Sequence, residues 1–255
     1  MSDASAPARA LGVDVGGSAI KSAPVDVVSG GLLRPRQRVL TPNPSTPKAV
    51  GEVVGGLARR FDWHGAVGCA FPAIVKHGVT LSAANVDASW IETDADAVLT
   101  EATGCPVTVI NDADAAGVAE MRWGAGQGRR GLVIMVTLGT GIGTALFMDG
   151  ALVPNTELGH LVIRGEDAEA RASAGAREEH QLSWAAWAPL VDEYLRYVER
   201  LFSPDLFILG GGVSEHADRF VPLLTVRAEV VPAAMGNDAG IAGAAWFACN
   251  GVAAP

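Results

Sequence analysis

Cysteine is scarce in this sequence, which has only Cys69, Cys105 and Cys249 among its 255 residues. Their odd number and wide spacing argue against a framework of disulfide bonds. Each cysteine lies in or beside an apolar stretch. The sequence therefore predicts three reduced, buried thiols, and reduced thiols favour a cytoplasmic protein.

Positive charge is also in short supply. The chain has 19 lysine and arginine residues against 28 aspartate and glutamate residues, which gives a formal net charge of -9. Proteins that bind nucleic acids rely on basic surface, so this balance argues against nucleic acid as the main partner. It remains compatible with a local basic patch that binds a phosphate ligand.

The sequence lacks an uninterrupted apolar run long enough to cross a bilayer. The most apolar segment, residues 132–148, is broken by several glycine and threonine residues. Such a segment predicts two short strands in preference to a membrane span. The first seven residues contain no basic region followed by an apolar run, so we expect no signal peptide and no membrane partner.

Glycine, by contrast, is abundant, and it is concentrated in two turns, Asp14–Ser18 and Leu138–Gly143. Glycine lets backbone N–H groups approach an anion, and the neighbouring hydroxyls add further donors. Strand-like segments flank both turns, and no helix pattern follows either of them, which excludes the common nucleotide-binding fingerprints. A single glycine turn is usually a simple hairpin connection. Two turns of the same chemistry indicate a duplicated unit that surrounds one phosphate-binding cleft.

Asn111 and Asp112 follow the apolar strand predicted at 107–110. Open α/β sheets bind ligands at the carboxyl ends of their strands, and an aspartate there can accept the proton of an alcohol. Both residues could instead cap the helix predicted from Ala113 to Trp123. Asp114 lies two residues along that helix and should point elsewhere. Together with the two turns, Asp112 predicts a kinase of a small hydroxylated substrate.

Two further helices have recognisable start signals. Thr46 is predicted to cap one helix, with Pro47 at its first position. Ser183 is predicted to cap another, which runs from Trp184 to Phe202. The positions of this second helix expected to be buried are Trp184, Trp187, Leu190, Val191, Tyr194, Leu195, Val198 and Leu201.

Five motifs in order along the chain resemble those of the ROK family of actin-like sugar kinases. They are Asp14–Ser18, 111–116, Leu138–Gly143, Glu157–His160 and Gly210–Ser214. The resemblance implies an α/β, actin-like (ribonuclease H-like) fold with two domains and a cleft between them. The implied domains are residues 8–110, joined by a C-terminal helix at about 241–255, and residues 111–240.

Within that family, the chain most resembles the polyphosphate-dependent glucokinases, through the stretches 84–91, 171–174 and 201–212. Most family members carry a cysteine-rich zinc motif shortly after the Gly-His pair. Here no cysteine lies between Cys105 and Cys249, so we expect no zinc site built from thiolates. The polyphosphate glucokinases resemble this chain in lacking that motif.

The resemblance also implies roles for individual residues. Asp112 is the expected general base, and Asp14 is expected to position Mg²⁺ through water. The residues expected to bind the sugar are Asn85, Asn111, Asp112, Glu157, His160 and Glu169. The residues expected to bind the phosphates are Asp14, Gly16, Gly17, Ser18, Lys21, Thr137, Gly139, Thr140, Gly141, Gly210, Gly211 and Gly212.

Some of these roles have structural alternatives. Gly210–Gly212 could be a tight strand-to-helix turn, and Asn85 an ordinary turn residue. His160 contacts the sugar and also ligates zinc in family members, so without the cysteines a hydrogen-bonding role is expected. Arg122, Arg129 and Arg130 could hold the remote phosphates of a polyanion or be a solvated surface.

The expected reaction moves the terminal phosphate of polyphosphate, or of ATP, to the 6-hydroxyl of glucose. One alternative is an ATP-dependent kinase of glucose, mannose or another hexose. A second alternative is a non-catalytic sugar sensor of the ROK type, and a third is a pseudo-enzyme scaffold. About ten residues precede the first strand, which leaves no room for an N-terminal helix-turn-helix, so we expect an enzyme. The family also implies a homodimer.

Overall fold

The computed structural model describes residues 9–251. The N-terminal tail predicted at residues 1–7 therefore lies outside the described residues. The same holds for residue 8, where the first predicted domain begins, and for the end of the predicted C-terminal helix at 252–255.

The secondary structure alternates between strands and helices along the whole described chain. The first half contains β1 (Arg9–Val15), β2 (Ala19–Asp26), β3 (Gln37–Leu40), α1 (Pro47–Arg60), β4 (Val67–Phe71), β5 (Val75–Lys76), β6 (Val79–Thr80), β7 (Thr93–Asp94), α2 (Ala95–Thr103), β8 (Val107–Asn111) and α3 (Asp112–Trp123). The second half contains β9 (Leu132–Leu138), β10 (Ile142–Met148), β11 (Ala151–Val153), β12 (Val162–Ile163), β13 (Glu166–Asp167), α4 (Glu169–Ala172), α5 (Ala174–Glu179), α6 (Trp184–Phe202), β14 (Leu206–Gly210), β15 (Glu229–Pro232) and α7 (Ala239–Asn250).

The described chain divides into two compact units. Unit 1 comprises residues 9–119 and 238–251, and unit 2 comprises residues 120–237. The division falls within α3, and α7 belongs to unit 1 although it lies at the end of the chain. The domain boundaries drawn from the sequence, and the cleft between the domains, stay predictions.

Each unit is built on a five-stranded sheet, and the two sheets share one pattern of pairing. Their strand orders are β3-β2-β1-β4-β8 in unit 1 and β11-β10-β9-β14-β15 in unit 2. In both, the first three strands are antiparallel and the last three are parallel. In both, a glycine turn joins the two strands of the central antiparallel pair. This shared topology agrees with the duplicated unit indicated by the two turns.

Helices cover both faces of the unit 1 sheet. Leu11, Val13 and Val15 of β1 are fully buried in one cluster with Val50 and Val54 of α1. Because successive side chains of a strand point to opposite faces, the even-numbered residues of β1 face the other way, towards α7. Thr46 caps α1 by accepting a hydrogen bond from the backbone N–H of Ala49, and Pro47 occupies the first turn, as predicted.

The α7 helix approaches its neighbours so closely that only glycine fits at three contact points. A Cβ added at Gly12 would overlap the carbonyl oxygen of Ile241, and one added at Gly68 would overlap that of Ala244. A Cβ added at Gly243 would overlap the carbonyl oxygen of Ala115 in α3. The helix therefore packs backbone against backbone on β1, β4 and α3, and it tolerates no extra volume there.

The core of unit 2 forms between its sheet and α6. Ser183 caps α6 and the helix ends at Phe202, as predicted. Trp187, Val191, Tyr194, Leu195 and Val198 are buried against the sheet. The predicted burial of Leu201 is wrong, because its side chain is 54% exposed in the last turn of the helix.

One other prediction from the sequence also needs correction. Cys69 and Cys105 are buried, but Cys249 is exposed near the end of α7, so the prediction of three buried thiols is wrong for the last one. The polar stretch from Arg164 to Gln181 contains β13, α4 and α5. Among the described residues, no helix is long and apolar enough to span a bilayer.

The close approach of α7 generates a prediction about stability. Replacing Gly68 with alanine places a Cβ against the Ala244 carbonyl, so we expect Gly68→Ala to lower the free energy of unfolding by about 1–3 kcal/mol. Gly56→Ala in α1 is the matched control. A Cβ there meets nothing nearer than 3.9 Å, and we expect a gain of up to about 1 kcal/mol from helix propensity. Denaturant unfolding measures both variants, and equal stability of the two would contradict the packing described here.

Candidate active site

The first glycine turn is held open at the surface of unit 1. The N–H of Gly16 donates to the carbonyl of Ala19 at 3.1 Å, which closes the turn between β1 and β2. Thr41, directly after β3, stabilises the turn through two hydrogen bonds. Its hydroxyl donates to the Gly16 carbonyl, and its N–H donates to the Ser18 carbonyl. Gly17 and Ser18 are exposed at the tip, where an anion has access to their backbone N–H groups.

Asp14 and Lys21 lie directly opposite each other on β1 and β2. Lys21 Nζ donates to Asp14 Oδ2 at 2.9 Å, and both side chains are partly buried. Gly240, in the first turn of α7, lies against the carboxylate, since a Cβ there would be 3.2 Å from Asp14 Cγ. The structure thus holds a carboxylate and an ammonium group in fixed positions just below the glycine turn.

Asn85 lies beside the same turn. Its carbonyl oxygen is 3.8 Å from the position of a Cβ built on Gly17, and the residue is exposed. The structure therefore brings this predicted sugar-binding residue next to the predicted phosphate-binding residues of unit 1.

Asn111 has a structural role that the sequence offered only as an alternative. It is 7% exposed, its Oδ1 accepts the N–H of Asp114 at 3.0 Å, and its Nδ2 donates to the Ala73 carbonyl at 3.1 Å. The side chain caps α3 and ties the helix start to the loop after β4. Its predicted contact with the sugar stays a prediction.

Asp112 begins α3 at the carboxyl end of β8, as the strand pattern indicated. Its Oδ1 accepts the N–H of Ala113 at 2.9 Å, and the residue is partly exposed. Asp114, the competing carboxylate, is only 1% exposed. Of the two carboxylates, Asp112 is the one that a bound alcohol could approach.

In unit 2, two other glycine-containing segments, at Gly175 and at Gly211, contact the second turn. Gly139 N–H donates to the Gly141 carbonyl within the turn at 3.0 Å, and Gly175 N–H donates to the Gly139 carbonyl at 2.9 Å. Gly211 lies directly against the backbone of Leu138, where a side chain would overlap the Leu138 carbonyl oxygen. It also has a φ of 85°, a conformation that favours glycine.

The structure therefore brings together all the predicted phosphate-binding residues of unit 2. These are Thr137, Gly139, Thr140, Gly141, Gly210, Gly211 and Gly212, with Thr137 and Gly210 paired between β9 and β14. A short 3-10 helix follows at Gly212–Arg219, so the three glycines also form the strand-to-helix turn that was the structural alternative.

The predicted sugar-binding residues of unit 2 form one cluster around His160. His160 Nε2 lies 3.9 Å from Glu157, and His160 Nδ1 lies 3.9 Å from Glu169. Glu169 also accepts the N–H of Ile142 at 3.2 Å, which attaches it to the second glycine turn. The structure thus connects the cluster to that turn.

Asp167 belongs to the same cluster, and sequence reasoning missed it. Its carboxylate lies 3.0 Å from His160 Nδ1, closer than either glutamate. The signal in the sequence is weak, because Asp167 stands in β13, a two-residue strand of a short hairpin outside the five motifs.

The charges of this cluster shift its acid–base equilibria. The hydrogen bond to Asp167 raises the pKa of His160 above its usual value; burial opposes the rise, and the surrounding carboxylates add to it. Burial raises the pKa of the Glu157 carboxyl, His160 works against that rise, and Glu169 adds to it. The cluster thus stabilises a protonated imidazole beside a carboxyl group that ionises less readily than usual.

The ligand atoms of His160, Asp167 and Glu169 all lie within 4.8 Å of one another, so these side chains could approach a cation together. His160 and Asp167 already lie at hydrogen-bonding distance from each other, and we interpret the group as a hydrogen-bonded cluster.

The arginines before the second turn are not all available to a polyanion. Arg129 forms two hydrogen bonds of 2.8 Å with the carboxylate of Glu229, in a forked arrangement. This pairing gives Arg129 a structural partner within unit 2. A role for Arg122 and Arg130 with remote phosphates stays a prediction.

The His160 cluster predicts a specific pH dependence. Asp167→Asn should lower the pKa of His160, because it removes the charged acceptor that stabilises the imidazolium. A raised folded-state pKa means that the stabilisation from this pair is fully present below the unfolded-state value of about 6.5 and is lost as the pH rises through the folded-state value. NMR titration of the His160 ring protons measures the shift. Glu166→Gln is the control, and equal titration curves for the two variants would contradict the assigned contact.

A model of the ROK family matches residues 10–178. The polyphosphate glucokinase of Mycobacterium tuberculosis (strain H37Rv) is 49% identical over 236 residues, which cover 92% of this chain and 89% of that protein.

Solved structures of sugar kinases are also similar to this chain. The inorganic polyphosphate/ATP-glucomannokinase from Arthrobacter sp. strain KM superposes with a TM-score of 0.91 at 52% identity, covering 95% of this chain and 98% of that one. A ROK family glucokinase from Streptomyces griseus, in complex with glucose and AMPPNP, superposes with a TM-score of 0.80 at 28% identity. The superposition covers 95% of this chain and 100% of that one. The predicted actin-like α/β fold is confirmed by these neighbours, and the chain belongs to the ROK family.

Proposed function

We propose that this protein transfers the terminal phosphate of inorganic polyphosphate, or of ATP, to the 6-hydroxyl of glucose. The observation that carries the proposal is the position of Asp112. This carboxylate stands partly exposed at the carboxyl end of β8, in the same unit as the exposed glycine turn at Gly16–Ser18. The relatives named above are a polyphosphate glucokinase and a polyphosphate/ATP-glucomannokinase, and they support the same reaction.

In the proposed reaction the 6-hydroxyl oxygen attacks the terminal phosphorus of the donor. Asp112 accepts the hydroxyl proton as the new oxygen–phosphorus bond forms. The bond between the terminal phosphorus and the bridging oxygen breaks, and the donor leaves one phosphate shorter. The products are glucose 6-phosphate and either the shortened polyphosphate or ADP.

The donor phosphates have two sets of candidate partners. In unit 1 these are the backbone N–H groups of Gly17 and Ser18, the Ser18 hydroxyl and the ammonium of Lys21, and Gly16 serves by closing the turn that presents them. Thr137, Thr140 and the glycines of the second turn serve in unit 2. Phosphoryl transfer depends on positioning and on neutralising charge, so fixed donors of this kind account for much of the proposed catalysis.

Asp14 fits the expected Mg²⁺ ion. One of its oxygens accepts from Lys21, and the partly buried carboxylate lies just below the glycine turn. Mg²⁺ keeps most of its water ligands and needs few protein carboxylates, so a single aspartate acting through water suffices. When bound, the ion would neutralise charge on the donor phosphates.

Sugar recognition is assigned to residues whose side chains can donate or accept hydrogen bonds with neighbouring hydroxyls. Glu157, His160 and Glu169 stand together in unit 2, and Asp167 holds the orientation of His160. Asn85, and the atoms of Asn111 that its capping bonds leave available, would serve from unit 1. A homodimer and a cytoplasmic location remain expectations from the family resemblance.

The base is tested by Asp112→Asn, which keeps the shape and the hydrogen-bonding oxygen but removes the proton acceptor. We expect kcat to fall by about 10²–10⁴ with both donors, while glucose still binds. Asp62→Asn is the matched control, because that carboxylate is 95% exposed in the same unit. Turnover by the Asp112 variant close to that of the control would rule out this carboxylate as the base.

The donor and the sugar are tested by one comparison of substrates. We expect the purified protein with Mg²⁺ to phosphorylate glucose from polyphosphate, and coupled detection of glucose 6-phosphate measures the rate. Parallel assays with ATP and with mannose separate the proposed reaction from an ATP-dependent hexose kinase. Glucose binding without turnover on either donor would instead favour the non-catalytic sugar sensor.

A further inference from the structure

A row of charged side chains crosses the first three strands of the unit 1 sheet below the glycine turn. Asp14 on β1 lies opposite Lys21 on β2, and Lys21 lies opposite Arg38 on β3. Directly opposite residues of antiparallel strands project to the same face, with adjacent strands about 4.8 Å apart. The row therefore starts at the expected phosphate site and ends at Arg38, on the edge strand of the sheet.

The same face carries a second arginine, two residues before the first. Arg36 Nη1 lies 2.7 Å from Asp238, the residue before α7. The helix that begins there places Gly240 against Asp14, so both arginines lie on the α7 side of the sheet. Arg38 is closer to the turn, because β3 runs antiparallel to β2 and ends opposite Ala19.

The cations of this face differ in what already neutralises them. Lys21 is paired with Asp14, and Arg36 is paired with Asp238. Arg38 is exposed, and in the chain from residue 9 to residue 251 no carboxylate forms an ion pair with it. Of the three cations on this face, Arg38 is therefore the one whose charge is not already neutralised by a carboxylate.

The order of strands gives the row a direction. Asp112 stands at the end of β8, which is one edge strand of the sheet, and β3 is the other edge strand. The glycine turn joins β1 and β2, so it lies between these two edges. A linear polyanion whose reacting end is at Asp112 and whose next phosphates lie at the turn would continue towards β3.

We propose that Arg38 binds the phosphates of a long polyphosphate donor beyond those held at the glycine turn. The proposal rests on the function proposed above. Arginine suits this task because its planar guanidinium pairs with phosphate oxygens in a fork and stays charged. Lys21 and Arg38 place cations at neighbouring positions along the row, and a linear inorganic chain carries negative charge at each phosphate to match them. ATP and short polyphosphates would end before they reach Arg38.

The test is the dependence of KM on the length of the donor in Arg38→Ala. We expect the KM for long-chain polyphosphate to rise about tenfold, while kcat and the KM values for ATP and tripolyphosphate stay within about twofold, because only the long donor loses a charge-assisted contact. The rise should shrink at high ionic strength, because salt screens an exposed cation. Arg38→Lys, which keeps the charge but loses the fork, should lie between the wild type and Arg38→Ala.

The matched control is Arg60→Ala, which removes one exposed cation from the last turn of α1 on the opposite face of the sheet. It should leave the KM for every donor unchanged. An equal rise with ATP and tripolyphosphate, or equal behaviour of the two alanine variants with long polyphosphate, would overturn the assignment of Arg38. The wild-type rates distinguish the two proposals. If the wild type does not use polyphosphate, both the proposed donor and the proposed path are wrong. If the wild type uses polyphosphate and Arg38→Ala has the same KM for the long donor, only the path is wrong.

Discussion

The close packing of α7 is the constraint on which the geometry of unit 1 depends. Gly12 and Gly68 allow the helix backbone to contact the sheet, and Gly243 allows it to contact α3. Because these contacts join backbone to backbone, they leave little freedom for the helix to slide. They set Gly240 against Asp14 and Asp238 beside Arg36, and they support the helix that begins at Asp112. The candidate base, the carboxylate below the glycine turn and the basic edge of the sheet are therefore positioned by one helix made of small residues.

In unit 2, contacts between glycine segments, and no single packed helix, fix the position of the glycine turn. This turn is supported from two sides, by Gly175 at the start of α5 and by Gly211 after β14. Glu169 then connects the turn to the His160 cluster through the backbone N–H of Ile142. A change in the position of the turn would therefore be transmitted to the predicted sugar-binding residues. This coupling gives a physical reason for donor and sugar sites to be built from adjacent segments.

The sequence predicted best the features that depend on local chemistry. The caps Thr46 and Ser183, and the strands that flank both glycine turns, follow from short-range hydrogen bonding and from apolar periodicity. It predicted poorly the features that depend on distant partners. Leu201 continues the apolar stripe of α6 and is nevertheless exposed, because the periodicity of a helix does not show which of its turns a distant segment covers.

In the candidate site, too, the sequence predicted the residues whose chemistry is local and missed those that depend on distant partners. The five motifs identified the glycine turns and Asp112, because their residue types are tied to phosphate and proton chemistry. Asp167 carries no such signal, and its contact with His160 exists only because a short hairpin folds back on the 3-10 helix at Leu158–His160. The pairing of Arg129 with Glu229 likewise joins residues far apart in the chain, so no local sequence pattern predicts it. The row from Asp14 to Arg38 depends on strand register, which the sequence alone did not fix.

The central claim is that Asp112 accepts the proton of the sugar hydroxyl. A crystal structure of the protein with bound glucose tests it most directly. The account predicts that the 6-hydroxyl oxygen lies within about 3.2 Å of a carboxylate oxygen of Asp112, the distance that proton transfer requires. A complex in which that oxygen lies nearest another carboxylate, such as Glu157, with Asp112 directed away from the sugar, would contradict it.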